Sequence, residues 1–206
     1  FTSIALLTSI FLIFFYNVFL IYFLIVLGSL SIIEFIQLSR KISLRKISLV
    51  LINFLFIFYI FAFCYMFVFF SNFIGLKIIL YIFLLGCIAS DIGGFIFGKF
   101  FKGPKLTKIS PNKTYSGAMG SLVLTIITIT FLFYYFTQTF NLNILFIGFI
   151  NSIFCQLGDL VFSFMKRKAK IKDTGNFLPG HGGVLDRLDG ILLAIPISFL
   201  TLIIFN

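Results

Sequence analysis

Acidic residues are scarce in this chain: six Asp and Glu among 206 residues, with charges of both signs making up only 11%. A soluble domain carries about a quarter. Too few charges are present to cover a water-facing surface, which argues against soluble globular, disordered and coiled-coil architectures. Histidine occurs once and cysteine three times. Cys64, Cys87 and Cys155 lie singly in apolar segments with no CxxC pair, so no zinc site is expected and the three read as buried free thiols. Polar–apolar alternation is also missing. Apolar runs such as 47–70 are continuous, which argues against a transmembrane β-barrel. No basic segment, short apolar core and small-residue cleavage site open the chain, so a removed signal peptide is not supported. Because the chain starts at Phe1 rather than Met, an N-terminal piece is expected to precede it.

What remains is apolar. Hydrophobic residues make up 61%, including 33 Phe, and the mean hydropathy is +1.18. The expected fold is an all-α polytopic membrane bundle of about six to eight transmembrane helices, forming a single membrane domain over 1–206. Residues 1–38 are too long for one ordinary span and read as two short helices breaking near Tyr16-Asn17. Further spans are expected at Ile47–Phe70, Ile78–Gly98, Gly117–Phe136, Ile144–Met165 and Leu188–Phe205.

The basic residues then fall on alternate loops. Loop 40–46 holds four Lys and Arg, loop 99–113 five and loop 166–187 six, leaving only Lys77 on the other side. The positive-inside bias makes these three loops cytoplasmic. Topology and attraction to anionic headgroups account for such a pattern; so does a face that holds an anionic substrate.

Glu34 sits near a membrane boundary. Asp91 and Asp159 lie toward the cytoplasmic ends of apolar spans, where a central Asp costs about 2.5–3.5 kcal/mol. Each faces a wet cavity or a cation, or bonds a neighbouring Ser or Lys. Asp173, Asp186 and Asp189 follow in the last polar stretch. Asp186 and Asp189 share a helix face, and their mutual repulsion calls for a counter-charge. Oxygen ligands suit magnesium; an Asp186–Arg187–Asp189 surface salt-bridge cluster serves equally well. Before them runs Gly180-His181-Gly182-Gly183, whose backbone N–H groups can turn toward one anion. Lys166, Arg167 and Lys172 precede this turn and Arg187 follows it. Together these features suggest a polyphosphate site, with His181 as a donor to phosphate or a general acid, or as an ordinary loop residue.

The stretch Ser163-Phe-Met-Lys166-Arg167-Lys-Ala-Lys-Ile-Lys172-Asp173-Thr-Gly-Asn-Phe-Leu-Pro179-Gly180-His181-Gly182-Gly183-Val-Leu-Asp186-Arg187-Leu-Asp189 closely resembles the signature of the phosphatidate cytidylyltransferases, or CDP-diacylglycerol synthases. Ser90-Asp91-Ile-Gly-Gly-Phe-Ile-Phe-Gly98-Lys99 is similar to the family's upstream Asp motif. Ile109-Ser110-Pro111-Asn-Lys113-Thr114 resembles its Ile-Ser-Pro-x-Lys-Thr block, and Gly158-Asp159 also matches. The chain departs from the pattern at Ser116, where Glu is usual, at Lys99, where Arg is usual, and in a short N-terminal region. The resemblance divides the domain into N-terminal helices over 1–89 and a catalytic part over 90–206, with cytoplasmic loops 99–116 and 166–187.

The resemblance implies that CTP and phosphatidic acid give CDP-diacylglycerol and pyrophosphate in phospholipid biosynthesis. It implies magnesium as cofactor, with a second cation left open. By the same resemblance Asp159, Asp186 and Asp189 bind metal, and Asp91 joins them or orients a substrate group. Ser110, Lys113, Lys166, Arg167, Lys172, Asp173, Gly182, Gly183 and Arg187 belong to the substrate-binding set, with Lys172, His181 and Arg187 closest to the chemistry. The expected partners are CTP, phosphatidic acid and the bilayer, a homodimer being one open arrangement, and no nucleic acid. The expected location is the bacterial cytoplasmic membrane, with the site facing the cytoplasm. A CTP-dependent polyprenol or lipid kinase and a non-enzymatic membrane transporter are the competing readings.

Overall fold

The computed structural model describes residues 16–42, 45–107, 110, 113–175 and 182–205. Six α-helices occupy most of them: α1 (Asn17–Lys41), α2 (Lys46–Ser71), α3 (Ile74–Phe101), α4 (Tyr115–Thr137), α5 (Leu142–Lys168) and α6 (Leu185–Phe205). Each is long and apolar enough to cross a bilayer. The protein is an all-α polytopic membrane bundle. Helix α1 begins at the expected break, with Tyr16 at its N-cap; residues 1–15, and with them the first of the two expected short helices, lie outside the described residues.

The outside of the bundle is apolar, with Phe54, Phe61, Ile127 and Phe131 all exposed. Lipid is the solvent such a surface requires. The inside holds the packed core, with Phe83, Ile129, Ile147 and Ile195 fully buried. Phe199 meets Phe83 edge-on at 5.1 Å and Phe70 at 4.3 Å, tying α6 to α2 and α3. Since lipid tails are as apolar as any core, helices in a membrane associate through close packing and buried hydrogen bonds. Both are present. At the α3–α4 contact a Cβ on Gly93 would sit 2.6 Å from the Gly120 carbonyl oxygen, so the two backbones approach at glycines. Inside the bundle Asn151 Nδ2 donates to Ser198 Oγ at 2.9 Å, joining α5 to α6. Cys87 and Cys155 are buried and Cys64 is half-buried, all three free.

Pro196 lies within α6. It has no N–H for the carbonyl four residues earlier, that of Leu192. The Tyr59 hydroxyl of α2 donates to that same Leu192 oxygen, which restores the bond a membrane interior demands.

Several helices run past the ends expected from hydropathy. Lys166, Arg167 and Lys168 form the last turn of α5, and Asp186 lies in the first turn of α6. Polar residues therefore leave the bilayer core while still on rigid helices, and these ends carry the site. The cations at the C-terminus of α5 and the acid at the N-terminus of α6 both suit the helix dipole.

Candidate functional site

The described ends of three helix-to-helix connections, after α1, after α3 and after α5, lie at one end of the bundle. The second folds back on itself. Lys105 and Thr114 form a β-bridge, Tyr115 N donates to the Pro104 carbonyl at 3.0 Å, and Leu106 N donates to Lys113 O at 2.7 Å. Thr114 then caps α4 by accepting from Gly117 N at 3.1 Å. Ser116, standing where the resembled pattern has Glu, bonds Thr114 Oγ1 at 3.0 Å and accepts from Gly103 N at 3.3 Å. The fold-back aims Lys113 at α5, where its Nζ lies 2.9 Å from Asp159 Oδ2. The pair borders a polar cavity of about 300 Å³, which Asp91, Ser110 and Gln156 also line. Asp91 is close enough to the charges of Asp159, Lys113 and Arg187 to feel all three.

Asp159 faces α6 as well. Gly158 packs so tightly on the Asp189 carbonyl that a Cβ would strike it, and a Cβ on Gly190 would sit 2.9 Å from Asp159 Oδ1. Two glycines thus let α5 and α6 meet and bring Asp159 up against the Asp189–Gly190 segment, close enough for the two carboxylates to repel each other. Asp189 Oδ1 also accepts from Gly190 N at 3.0 Å. Lys166 sits beside them, 2.7 Å from Asp186 Oδ1 and 4.0 Å from Asp189 Oδ2.

Asp186 is held more fully. Its Oδ2 accepts from Thr174 N at 2.8 Å and from Gly183 N at 3.1 Å. The bond to Gly183 reaches back three residues, as the acid of a capping box does. Among the described residues no three His, Cys, Asp or Glu side chains gather as a metal cage. The expected trio divides into the adjoining pair Asp159 and Asp189, with Asp186 beside it on Lys166 and the loop backbone.

The glycine-rich turn also has internal partners. Gly182 takes the left-handed region at φ 82. Gly183 N goes to Asp186, while Val184 N and Leu185 N donate to Glu34 at 2.9 and 2.8 Å. Glu34, which the sequence places only near a membrane boundary, is fully buried. Arg167, Lys172 and Asp173 are exposed on the loop side. Arg167 donates to the Ile171 carbonyl at 3.4 Å. His181 lies outside the described residues.

Arg187, on the first turn of α6, marks the boundary with a second cavity. This one measures about 480 Å³, lies between α1, α2, α3 and α6, and is lined almost wholly by apolar side chains such as Leu24, Phe63, Leu84 and Leu188. The bundle therefore offers a charged cavity and an apolar one, with Asp91 and Arg187 between them.

Comparison with known proteins agrees with the motifs. The model of the Cytidylyltransferase family matches residues 1–205. A phosphatidate cytidylyltransferase of Staphylococcus haemolyticus is 46% identical over 134 residues, 63% of this chain and 50% of that protein. Those of Mycobacterium leprae and Rickettsia felis are 46% and 43% identical over 114 and 130 residues, covering 53% and 57% of this chain and 35% and 56% of theirs. The chain spans about half the length of the curated relatives it matches.

Proposed function

The chain belongs to the cytidylyltransferase family, and from that premise we propose that it transfers the cytidylyl group of CTP to phosphatidic acid, releasing pyrophosphate. The observation that carries this reading is the meeting of three distant stretches at one end of the bundle. Asp91, Asp159 and Asp189 gather there with Lys113, Lys166 and Arg187, beside a cavity suited to a charged substrate and another suited to an acyl chain.

The chemistry asks little of a general base. A phosphate monoester has its second pKa near 6, so the lipid phosphate is already largely anionic at neutral pH. It attacks the α-phosphorus of CTP; the bond from that phosphorus to the bridging oxygen breaks, and pyrophosphate leaves with the electron pair. The residues must then hold two anions together and in line. In this reading Lys113 and Ser110 serve the triphosphate from the 102–114 connection. Arg187 serves the lipid phosphate at the mouth of the apolar cavity. Lys166, Arg167, Lys172 and Asp173 line the approach, and His181 is available to a phosphate.

Asp159 and Asp189 are the residues that fit magnesium. Two adjoining carboxylates repel unless a cation lies between them, and magnesium typically takes one or two carboxylates together with substrate phosphates. Asp186 keeps Lys166 and the loop in register beside that pair. The bound ion would draw charge from the triphosphate oxygens and stabilise the departing pyrophosphate.

We place the site on the cytoplasmic face of the bacterial inner membrane, where water-borne CTP meets a membrane-borne acid. The one-sided distribution of Lys and Arg supports this. The decisive experiment supplies the purified chain, in detergent, with phosphatidic acid and with CTP labelled at either the α- or the γ-phosphate. Label from the α-position in the lipid product, with pyrophosphate released, is the expected result. Transfer of the γ-label to a lipid alcohol would make the protein a lipid kinase and overturn the reading.

A further inference from the structure

We propose that Glu34 is a positioning residue of the transfer site, setting Asp186 and the start of α6 through Thr174; the assignment of a rate to it rests on the cytidylyl-transfer reading above.

Glu34 lies on α1, far in sequence from every motif, yet both its oxygens are committed to the signature segment. Oε1 accepts from Val184 N at 2.9 Å, and Oε2 accepts from Leu185 N and Thr174 Oγ1, each at 2.8 Å. Thr174 is itself buried. It bonds in two directions: its hydroxyl holds Glu34, while its N–H holds Asp186 Oδ2 at 2.8 Å. Glu34, Thr174 and Asp186 therefore form a continuous chain of hydrogen bonds that ends on Lys166; the Lys166 ammonium then lies 4.0 Å from Asp189, an ion pair without a hydrogen bond.

Packing makes the same point independently. A Cβ on Gly175 would sit 2.6 Å from Glu34 Oε1, and one on Gly183 would collide with Thr174 Oγ1. Both positions are glycine because the Glu34 carboxylate and its threonine partner fill the space a side chain would need. These two glycines of the signature are shaped around a residue about 140 positions upstream.

A carboxylate is required because two of the three partners, the N–H groups of Val184 and Leu185, can only donate and sit on different oxygens. Gln in place of Glu34 has the same shape but one acceptor oxygen. Either amide orientation then turns an NH₂ toward one of these N–H groups, and that anchor is lost.

The test compares Glu34→Gln, Thr174→Val and Thr174→Ser in the full chain, reading hydrogen exchange and kinetics together. We expect whichever of the Val184 and Leu185 amides faces the new NH₂ to exchange at least tenfold faster in Glu34→Gln, while core amides such as those of Ile129 and Phe133 keep their protection. We expect kcat to fall at least tenfold with the KM for phosphatidic acid within twofold of wild type. Thr174→Val should lower kcat likewise, Thr174→Ser should restore most of it, and the Glu34→Gln/Thr174→Val double variant should be no slower than the slower single variant. Wild-type kcat in Glu34→Gln, or faster exchange spread evenly through the bundle, would overturn the proposal. Should the wild-type chain transfer no cytidylyl group at all, the functional reading fails, and the exchange comparison still decides whether Glu34 anchors the segment.

Discussion

Lys166 Nζ lies 2.7 Å from Asp186 Oδ1 and 4.0 Å from Asp189 Oδ2, so one ammonium group on α5 serves two carboxylates on α6. The three side chains are only 10–14% exposed. Removing one partner from so enclosed a cluster leaves like charges facing each other. Lys166→Met should lower stability by about 3 kcal/mol, visible as a drop in thermal midpoint in detergent. Lys166→Arg should recover part of the loss.

Asp159 and Asp189 adjoin across the α5–α6 contact. If they hold magnesium between them, Asp159→Asn and Asp189→Asn each forfeit several kcal/mol of transition-state stabilisation. The expected outcome is a loss of transfer rate on the order of 100-fold or more. The magnesium concentration needed for half-maximal rate should rise in both variants. Pyrophosphate release across a magnesium titration measures this, and an unchanged titration in either variant would remove that residue from the ion.

Gly158 and Gly75 make a matched pair of alanine substitutions. A Cβ at Gly158 would run into the Asp189 carbonyl and lie 2.9 Å from Gly190 Cα, both backbone atoms that cannot turn away. Gly158→Ala should force α5 and α6 apart, destabilise the bundle by about 1–3 kcal/mol and separate Asp159 from Asp189, so the rate falls further than stability alone explains. Nothing lies within 4 Å of a Cβ at Gly75, in the first turn of α3. Gly75→Ala should be neutral or stabilising by up to about 1 kcal/mol. Thermal midpoints and rates on the two variants check both expectations.

Tyr59 and Pro196 are coupled through an atom belonging to neither. The Tyr59 hydroxyl bonds the Leu192 carbonyl, whose helical partner would be the missing N–H of Pro196. Tyr59→Phe should cost about 1 kcal/mol in the wild-type background. In a Pro196→Ala background the helix supplies its own donor, and the same substitution should cost much less. A double-mutant cycle on thermal stability measures the difference.

Much of this architecture was legible in the amino-acid order because a membrane simplifies the code. Apolar runs near 20 residues announce the spans, and the Lys and Arg count orients them. Hydropathy could not locate the helix ends. Lys99, Lys166 and Asp186 end the apolar runs without ending the backbone hydrogen bonds, so α3, α5 and α6 continue beyond the greasy part of the sequence. Five of the six acids fall within recognisable motifs and meet at one end of the bundle. Glu34 belongs to no motif, and its partners lie about 140 to 150 residues away. One signal was available: it is the sole acid in the first 90 residues, and a carboxylate in an apolar helix demands a partner. The glycine-rich turn reads in sequence as a cradle for an outside anion. In the structure the Gly183 N–H, and those of Val184 and Leu185 just after the turn, serve carboxylates of the chain itself, while Gly180 and His181 lie outside the described residues.

The bond between Glu34 and Leu185 joins the first described helix to the last across 151 residues, and this sets when the protein can be finished. During synthesis α1 enters the membrane long before α6 exists. Until α6 and the segment before it arrive, Glu34 has none of these donors, and a carboxylate in that position has to stay near water or find some temporary partner. Only with α6 in place do the Val184 and Leu185 donors reach Glu34 and does Asp189 lie against Asp159. A chain stopped short of α6 lacks the Val184 and Leu185 donors and keeps an unsatisfied acid in α1.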